Sequence, residues 1–239
     1  MRTSTKLKLA FAALAATDTW LAGSSRPSAH KARYVTKPLL MPVLGASLAT
    51  NEKAAGSPLR ATTLAAQAAG WGGDVLLLGH SDKAFGAGAT SFGVGHLAYI
   101  AGFLRNSRGS AMKDNKVALG VAGIWAVTAP GVAFAAYRKD KALGATMLGY
   151  SATLAAMVAH ANHLDASLPR RARVLTAVGA ATFMASDSIL GARTFLIPNP
   201  PDRLESVVMA TYTAGQFLIA EGAAFPIRRG TSSHRVTSG

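Results

Sequence analysis

Eight mostly apolar stretches, separated by short segments that carry Lys and Arg, follow one another along the whole chain. A helix needs about 20 predominantly apolar residues to cross the hydrocarbon core of a bilayer, and lipid admits only helices and closed barrels as spanning structures. The pattern predicts an all-α integral membrane bundle of eight transmembrane helices that forms a single membrane domain over residues 1–239. The predicted spans are 6–23, 37–50, 61–79, 88–105, 117–137, 142–160, 172–192 and 204–225.

Three polar segments lie between or beyond these spans. Residues 24–34 are predicted to be a linker, residues 196–203 a proline-rich turn that no helix can cross, and residues 226–239 a polar C-terminal tail. The first stretch also has the basic start, apolar middle and small-residue end of a cleaved signal peptide. Asp18 and Trp20 fit a signal peptide poorly, so we expect this stretch to be retained as a span.

The positive charge is spread in short clusters. The net charge is +14, yet only 15% of the residues are charged, compared with about 25% in soluble domains. A nucleic-acid-binding protein would gather its Lys and Arg on one face, so we expect the bilayer and its anionic headgroups as partner and no nucleic acid. More of the 25 Lys and Arg lie on the side of the N-terminal tail, which predicts both termini in the cytoplasm. The Ala-, Gly- and Arg-rich composition indicates a bacterial plasma membrane.

Several polar side chains fall within the predicted spans, where an ionisable group costs about 2.5–3.5 kcal/mol on insertion scales and therefore indicates function. The candidates are Lys37, Asp74, His96, Tyr99, Asp187, Tyr212 and Gln216. At 1.5 Å per residue, all lie in one half of the bilayer or near its centre. Helical spacing places Gln67, Trp71 and Asp74 on one face and His96 and Tyr99 on another. We therefore predict a polar cavity among apolar helices.

Each candidate can also be explained by a purely structural role. A membrane aspartate can accept a structural hydrogen bond, His96 alone is more often a satisfied interhelical histidine, and the tyrosines alone are ordinary packing residues. Lys37, placed at the start of its span, can extend its ammonium group to the membrane surface. The matched depth of the two aspartates favours function over these alternatives. Five further polar residues are predicted to be solvated loop residues: His80, Asp82, His160, Asn162 and His163.

Motifs of soluble enzymes are missing from the sequence. The chain has no Cys, which excludes thiolate chemistry and cysteine metal sites. It also has no HExxH, no GxSxG and no phosphate-binding loop. The sequence therefore predicts no metal and no cofactor.

The candidate residues lie in five short segments: TKPL at 36–39, GDVLL at 73–77, FGVGHLAY at 92–99, FMASDSIL at 183–190 and YTAGQ at 212–216. In this order they resemble motifs of the YhhN-type lysoplasmalogenase family of integral membrane proteins. The resemblance implies a membrane hydrolase that cleaves the vinyl ether bond of lysoplasmalogens, giving a fatty aldehyde and a glycerophospho-base. It implies that Asp74 and Asp187 form the catalytic pair. The substrate-binding positions that it implies are Lys37, His96, Tyr99, Tyr212 and Gln216.

The implied reaction suits these residues. Protonation of the alkene carbon of a vinyl ether leaves an oxocarbenium ion, so the reaction requires a proton donor and a carboxylate that activates water, as in glycosidases. Lys37 could hold the phosphate of a lysophospholipid substrate. The alternative is a non-enzymatic transporter or lipid-binding protein that uses an intramembrane Asp/His/Tyr cluster. The sequence leaves open which Asp is the acid, the natural substrate and the oligomeric state.

Overall fold

Eight α-helices make up most of the part of the chain that the structure describes. The computed structural model describes residues 1–79, 81–109 and 112–227, and across them it has eight α-helices, two short 3-10 turns and no strand. The all-α prediction is confirmed. Of the segments discussed above, His80 and residues 228–239 of the predicted tail lie outside the described residues. The helices are α1 (Thr3–Ala22), α2 (Pro27–Ala49), α3 (Arg60–Leu76), α4 (Asp82–Arg105), α5 (Lys116–Lys139), α6 (Lys141–Ala161), α7 (Arg170–Phe195) and α8 (Arg203–Gly222).

Local sequence explains where several helices begin. The side chains of Ser81, Asn115 and Asp140 each accept a hydrogen bond from a backbone N–H in the first turn of α4, α5 and α6, which satisfies donors that a helix start leaves unpaired. Pro27 occupies the first position of α2, where its fixed φ suits a helix and no N–H is needed. The predicted turn at 196–203 is confirmed, since α7 ends at Phe195 and α8 begins at Arg203.

Neighbouring helices pack as antiparallel pairs: α1 with α2, α3 with α4, α5 with α6, and α7 with α8. Contacts of α4 with α6 and of α1 with α8 join these pairs into one bundle. The α7 and α8 backbones approach closely, because a Cβ atom at Gly215 would lie 2.9 Å from both the Gly179 carbonyl oxygen and the Phe183 amide nitrogen. We call the end of the bundle at which α2, α4, α6 and α8 begin the distal end.

The outer surface of the bundle is rich in apolar side chains. On α5, Val127 is 82% exposed and Phe134 is 64% exposed, which is unusual for a surface in water. Within the described ranges, α5, α6 and α7 are long and apolar enough to cross a membrane. In the same ranges, the other five helices contain no stretch of that length and hydropathy, and buried ionisable residues such as Asp18 and Asp74 lie in them. For these five, membrane crossing stays a prediction.

One boundary prediction was wrong. Residues 24–34 were expected to be a linker and the second span to begin at 37, but α2 begins at Pro27. The difference arises because His30, Lys31 and Arg33 give this segment the composition of a loop. In the structure Arg33 is buried and is paired with carboxylates from two other helices, so its charge does not prevent helix formation inside the bundle.

Candidate active site

A cavity of about 780 Å³ lies between the helices, and every helix contributes at least one lining residue. This volume is within the range of about 300–1,000 Å³ that is typical of ligand pockets. One part of the cavity wall carries charged side chains and another part is apolar. The charged groups come from α2, α3, α7 and the start of α8, and they include Lys37, Asp74, Asp187 and Glu205. The apolar wall includes Ile124, Trp125, Val132, Met147, Leu154 and Met184.

Asp74 lies in the last turn of α3 and is 1% exposed. The hydroxyl of Tyr212, from α8, donates a hydrogen bond of 2.7 Å to Asp74 Oδ2. The ammonium group of Lys37, from α2, lies 4.0 Å from Asp74 Oδ1. One carboxyl group is thus held between a phenol and a cation that come from two other helices, and such pairing makes its burial tolerable.

Asp187 lies on α7, about two helical turns before its end at Phe195, and has a different set of partners. The hydroxyl of Tyr150, from α6, donates a hydrogen bond to Asp187 Oδ2. The same hydroxyl lies 3.1 Å from Nε2 of His96, and this nitrogen is 4.0 Å from Asp187 Oδ2. Across the described residues, Oδ1 of Asp187 makes no hydrogen bond. Asp187 therefore has one oxygen fixed by Tyr150 and the other available on the cavity wall.

Tyr99 and Gln216 lie behind this wall. The Tyr99 hydroxyl donates a hydrogen bond of 2.6 Å to Gln216 Oε1, and both side chains are 1% exposed. His96 is fully buried as well, and none of the three lines the cavity. Their observed contacts hold helices together and, for His96, reach the Tyr150–Asp187 pair.

Aromatic rings connect the two aspartate centres. The Phe183 ring lies 5.5 Å from the Tyr212 ring and 5.1 Å from the His96 ring, measured between centroids. Phe92 packs edge-on against Phe183 and against Tyr212. Because packed rings of this kind resist displacement, they fix the position of each aspartate relative to the other.

Comparison with known families supplies the identification. The family model described as "YhhN family" matches residues 32–223, which is most of the chain. The chain belongs to the YhhN family. The resemblance noted in the sequence is thereby confirmed. No match was found among curated proteins or among solved structures.

Family membership and the apolar helices together make this chain a multi-pass membrane protein. The YhhN match begins inside α2 and ends just after α8, so it contains every candidate residue. It does not contain α1, although Asp18 of α1 is completely buried and is bonded to Arg33.

Sequence reasoning missed Tyr150. This residue lies in an apolar helix, where a tyrosine is ordinarily a packing residue, so composition alone gave no reason to select it. The available signal was position: Tyr150 and Ser151 are polar residues near the middle of the apolar α6. The structure places the Tyr150 hydroxyl between His96 and Asp187.

Sequence reasoning also missed a charged network at the distal end of this YhhN-family bundle. Arg33 Nε and Nη2 each lie 3.4 Å from a carboxylate oxygen of Asp18. Arg33 Nη1 donates a 3.1 Å hydrogen bond to Glu205, and Arg193 Nη1 donates one of 2.8 Å to the other oxygen of Glu205. Arg33, Arg193 and Glu205 all line the cavity.

Three placements differ from the sequence-based expectations. Lys37 was placed at the membrane surface, but α2 begins ten residues earlier, which sets Lys37 about 15 Å along the helix and beside Asp74. Trp71 was placed on the same buried face as Asp74, yet it is 47% exposed. His163 was expected to be solvated, but it is 5% exposed because it packs beside Asn115.

The described part of the chain offers no group of three His, Asp or Glu side chains that could hold a metal ion together. The two aspartates are accompanied by tyrosine, lysine and histidine side chains. Chemically, this arrangement provides two carboxyl groups with different surroundings, which suits proton transfer to and from a substrate in the cavity.

Proposed function

We propose that this YhhN-family protein is a membrane-embedded hydrolase that cleaves the vinyl ether bond of lysoplasmalogen-like lysophospholipids. The products are a fatty aldehyde and a glycerophospho-base. The observation that carries the proposal is the pair Asp74 and Asp187, each hydrogen-bonded to a tyrosine, on the wall of one partly apolar cavity. The family match, which contains both aspartates, supports it.

In the first step Asp187 is the proton donor. No Lys or Arg lies within ion-pair distance of Asp187 in the described chain, and its Oδ1 makes no hydrogen bond, so this oxygen carries the proton toward the cavity. The proton moves to the alkene carbon of the vinyl ether that is farther from the ether oxygen and bears the alkyl chain. The alkene electrons form the new C–H bond, and an ether-oxygen lone pair completes an oxocarbenium ion. Tyr150 and His96 hold the Asp187 carboxylate that remains.

In the second step Asp74 is the base. The Lys37 ammonium group at 4.0 Å pairs with its carboxylate, and the negative charge also faces the oxocarbenium ion across the cavity. Water attacks the cationic carbon while Asp74 accepts the water proton, which gives a hemiacetal. Stabilising charge that develops in the transition state is commonly the largest single contribution to catalysis.

The hemiacetal then collapses and restores both carboxyl groups. Asp187 takes back a proton from the hemiacetal hydroxyl, the C=O bond of the aldehyde forms, and the bond to the glycerol oxygen breaks. Asp74 delivers its proton to this leaving oxygen. The sum is one vinyl ether and one water converted to one aldehyde and one alcohol, with both aspartates returned to their starting states.

The setting that we assign to this reaction is a bacterial plasma membrane, with both termini in the cytoplasm. The apolar wall from α5, α6 and α7 suits the single chain of a lysolipid, and the charged distal end suits its headgroup.

The direct test is incubation of the purified protein in detergent with lysoplasmenylethanolamine, with aldehyde release as the readout. We expect turnover that Asp187→Asn lowers about 10²–10⁴-fold and no product from the saturated alkyl-ether analogue, which has no alkene to protonate. If the wild-type protein binds the lipid and releases no aldehyde, the hydrolase proposal is wrong and the lipid-binding or transport alternative is favoured.

A further inference from the structure

The charged network at the distal end of the cavity contains two arginines that share one carboxylate. Glu205 accepts from Arg33 through Oε1 at 3.1 Å and from Arg193 through Oε2 at 2.8 Å. Arginines that face the interior of a membrane bundle mark functional sites, and Arg33 is buried inside this one, whereas Arg193 lies in the last turn of α7. Both of these arginines line the cavity that contains the two aspartates.

The two arginines differ in how many of their N–H donors are not already bonded to a carboxylate. Arg33 is enclosed, because Asp18 accepts from its Nε and Nη2 while Glu205 accepts from its Nη1. Arg193 donates to Glu205 through Nη1 alone, and its buried Nε has no hydrogen-bond partner in the part of the chain that the structure describes. The buried Nε is closed off from the cavity, so the donors of Arg193 that remain for a ligand are Nη2 and the second hydrogen of Nη1.

Its distance from the reactive groups fits one molecule that spans both. Arg193 lies six residues after Asp187 on α7, which is about 9 Å along the helix axis. In a lysoplasmalogen, seven covalent bonds of about 1.5 Å separate the carbon that Asp187 would protonate from the phosphorus, an upper limit of about 10.5 Å. Lys37 is a poorer choice for the phosphate, because its ammonium group lies 4.0 Å from Asp74 and balances the charge of that carboxylate in the proposed second step.

We propose that Arg193, held in place by Glu205, binds the phosphate of a single-chain phospholipid headgroup. This inference rests on the proposed function, for which it names the residue that recognises the phosphate of the lysolipid. Planar guanidinium groups bind phosphate oxygens through two parallel hydrogen bonds. Glu205 fixes the guanidinium orientation before substrate arrives, which reduces the entropy lost on binding.

The test measures binding without turnover. Isothermal titration of the detergent-solubilised protein compares three probes: a saturated 1-O-alkyl lysophosphatidylethanolamine, the 1-O-alkylglycerol with the same chain, and inorganic phosphate. We expect the phosphate-bearing lipid to bind about tenfold to hundredfold more tightly than the alkylglycerol, which is the usual effect of a hydrogen bond to a charged group. Inorganic phosphate should bind far more weakly than the lysophospholipid.

Two variants and a control locate the effect. Arg193→Gln should reduce binding of the lysophospholipid to the level of the alkylglycerol and leave alkylglycerol binding unchanged. Arg193→Lys keeps the charge and loses the planar fork, so we expect an intermediate affinity. Arg138→Gln removes an exposed arginine at the same end of the bundle that does not line the cavity, and it should bind all three probes like the wild type.

Several results would overturn the assignment. Equal wild-type affinity for the two lipids does so without any variant. The assignment is also wrong if folded Arg193→Gln binds the lysophospholipid as tightly as the wild type does. If Arg193→Gln does not fold, wild-type affinity in Arg193→Lys refutes the assignment instead. Inorganic phosphate that binds as tightly as the lipid would assign the site to a free anion. Lysophospholipid binding through Arg193 with no aldehyde release would refute the hydrolase proposal alone, whereas aldehyde release with no phosphate preference would refute this inference alone.

Discussion

Replacing Tyr150 by phenylalanine removes one oxygen atom and leaves the ring in its place. That oxygen donates a hydrogen bond to Asp187 and lies 3.1 Å from His96 Nε2. Hydrogen bonds to a charged partner are worth about 1.5–3 kcal/mol, and each 1.36 kcal/mol changes a rate tenfold. If Tyr150 holds Asp187 during catalysis, Tyr150→Phe should lower kcat about 10- to 150-fold with little change in KM.

A double-variant comparison tests whether the two residues act together. Asp187→Asn should lower kcat by about 10²–10⁴-fold, as expected of a general acid. Because Tyr150 acts through Asp187, adding Tyr150→Phe to Asp187→Asn should cost little more, since residues that act as a unit lose activity non-additively. Independent residues would instead show the product of the two losses.

The assay is aldehyde release from lysoplasmenylethanolamine, with the melting temperature of each variant measured in the same detergent. Tyr137→Phe is the matched control, because it removes the hydroxyl of a half-exposed tyrosine that does not line the cavity, and it should retain wild-type kcat. Wild-type kcat in Tyr150→Phe, or a fully multiplicative loss in the double variant, would show that Tyr150 does not position the acid.

Three further predictions concern the second aspartate, the helix contact and the topology. Asp74→Asn should lower kcat about 10²–10⁴-fold while the protein still folds. The wild-type kcat should follow a bell-shaped pH profile with one limb from each carboxyl group. A chelator that abolished turnover would contradict this two-carboxylate mechanism. Gly215→Ala brings a methyl group against the α7 backbone and should lower the free energy of unfolding by about 1–3 kcal/mol or more, measured by thermal unfolding. Gly149→Ala is the control and should be neutral, because a Cβ atom there has no neighbour within 4 Å. A reporter fused after Gly239 should be active in the cytoplasm, and periplasmic activity there would reverse the predicted topology.

The sequence was sufficient to find the two aspartates. An ionisable residue within an apolar stretch has no solvent to stabilise it, so Asp74 and Asp187 are functional candidates from the sequence alone. The apolar stretches likewise indicated the helices, because a stretch of about 20 apolar residues has few other structures available in lipid. These features depend on local composition, which a sequence displays directly.

The features that the sequence did not reveal depend on distant partners. Arg33 made its segment look like a loop, and only Asp18 and Glu205, which lie 15 and 172 positions away, explain how it can be buried in a helix. Tyr150 is 37 positions from Asp187, and nothing local distinguishes it from a tyrosine that only packs. Pairing across the bundle determines both cases, and a single sequence does not display which residues meet.

The ion pair between Asp18 and Arg33 also bears on how the chain enters the membrane during synthesis. A single charged side chain at the centre of a span costs about 2.5–3.5 kcal/mol on insertion. Since α1 leaves the ribosome immediately before α2, Asp18 is present when Arg33 arrives, whereas Glu205 follows 172 positions later. We therefore expect α1 and α2 to insert as a hairpin that carries its own counter-charge. The second acceptor for Arg33 arrives only when the last helix docks, so the charged end of the cavity is the last part of the bundle to be assembled.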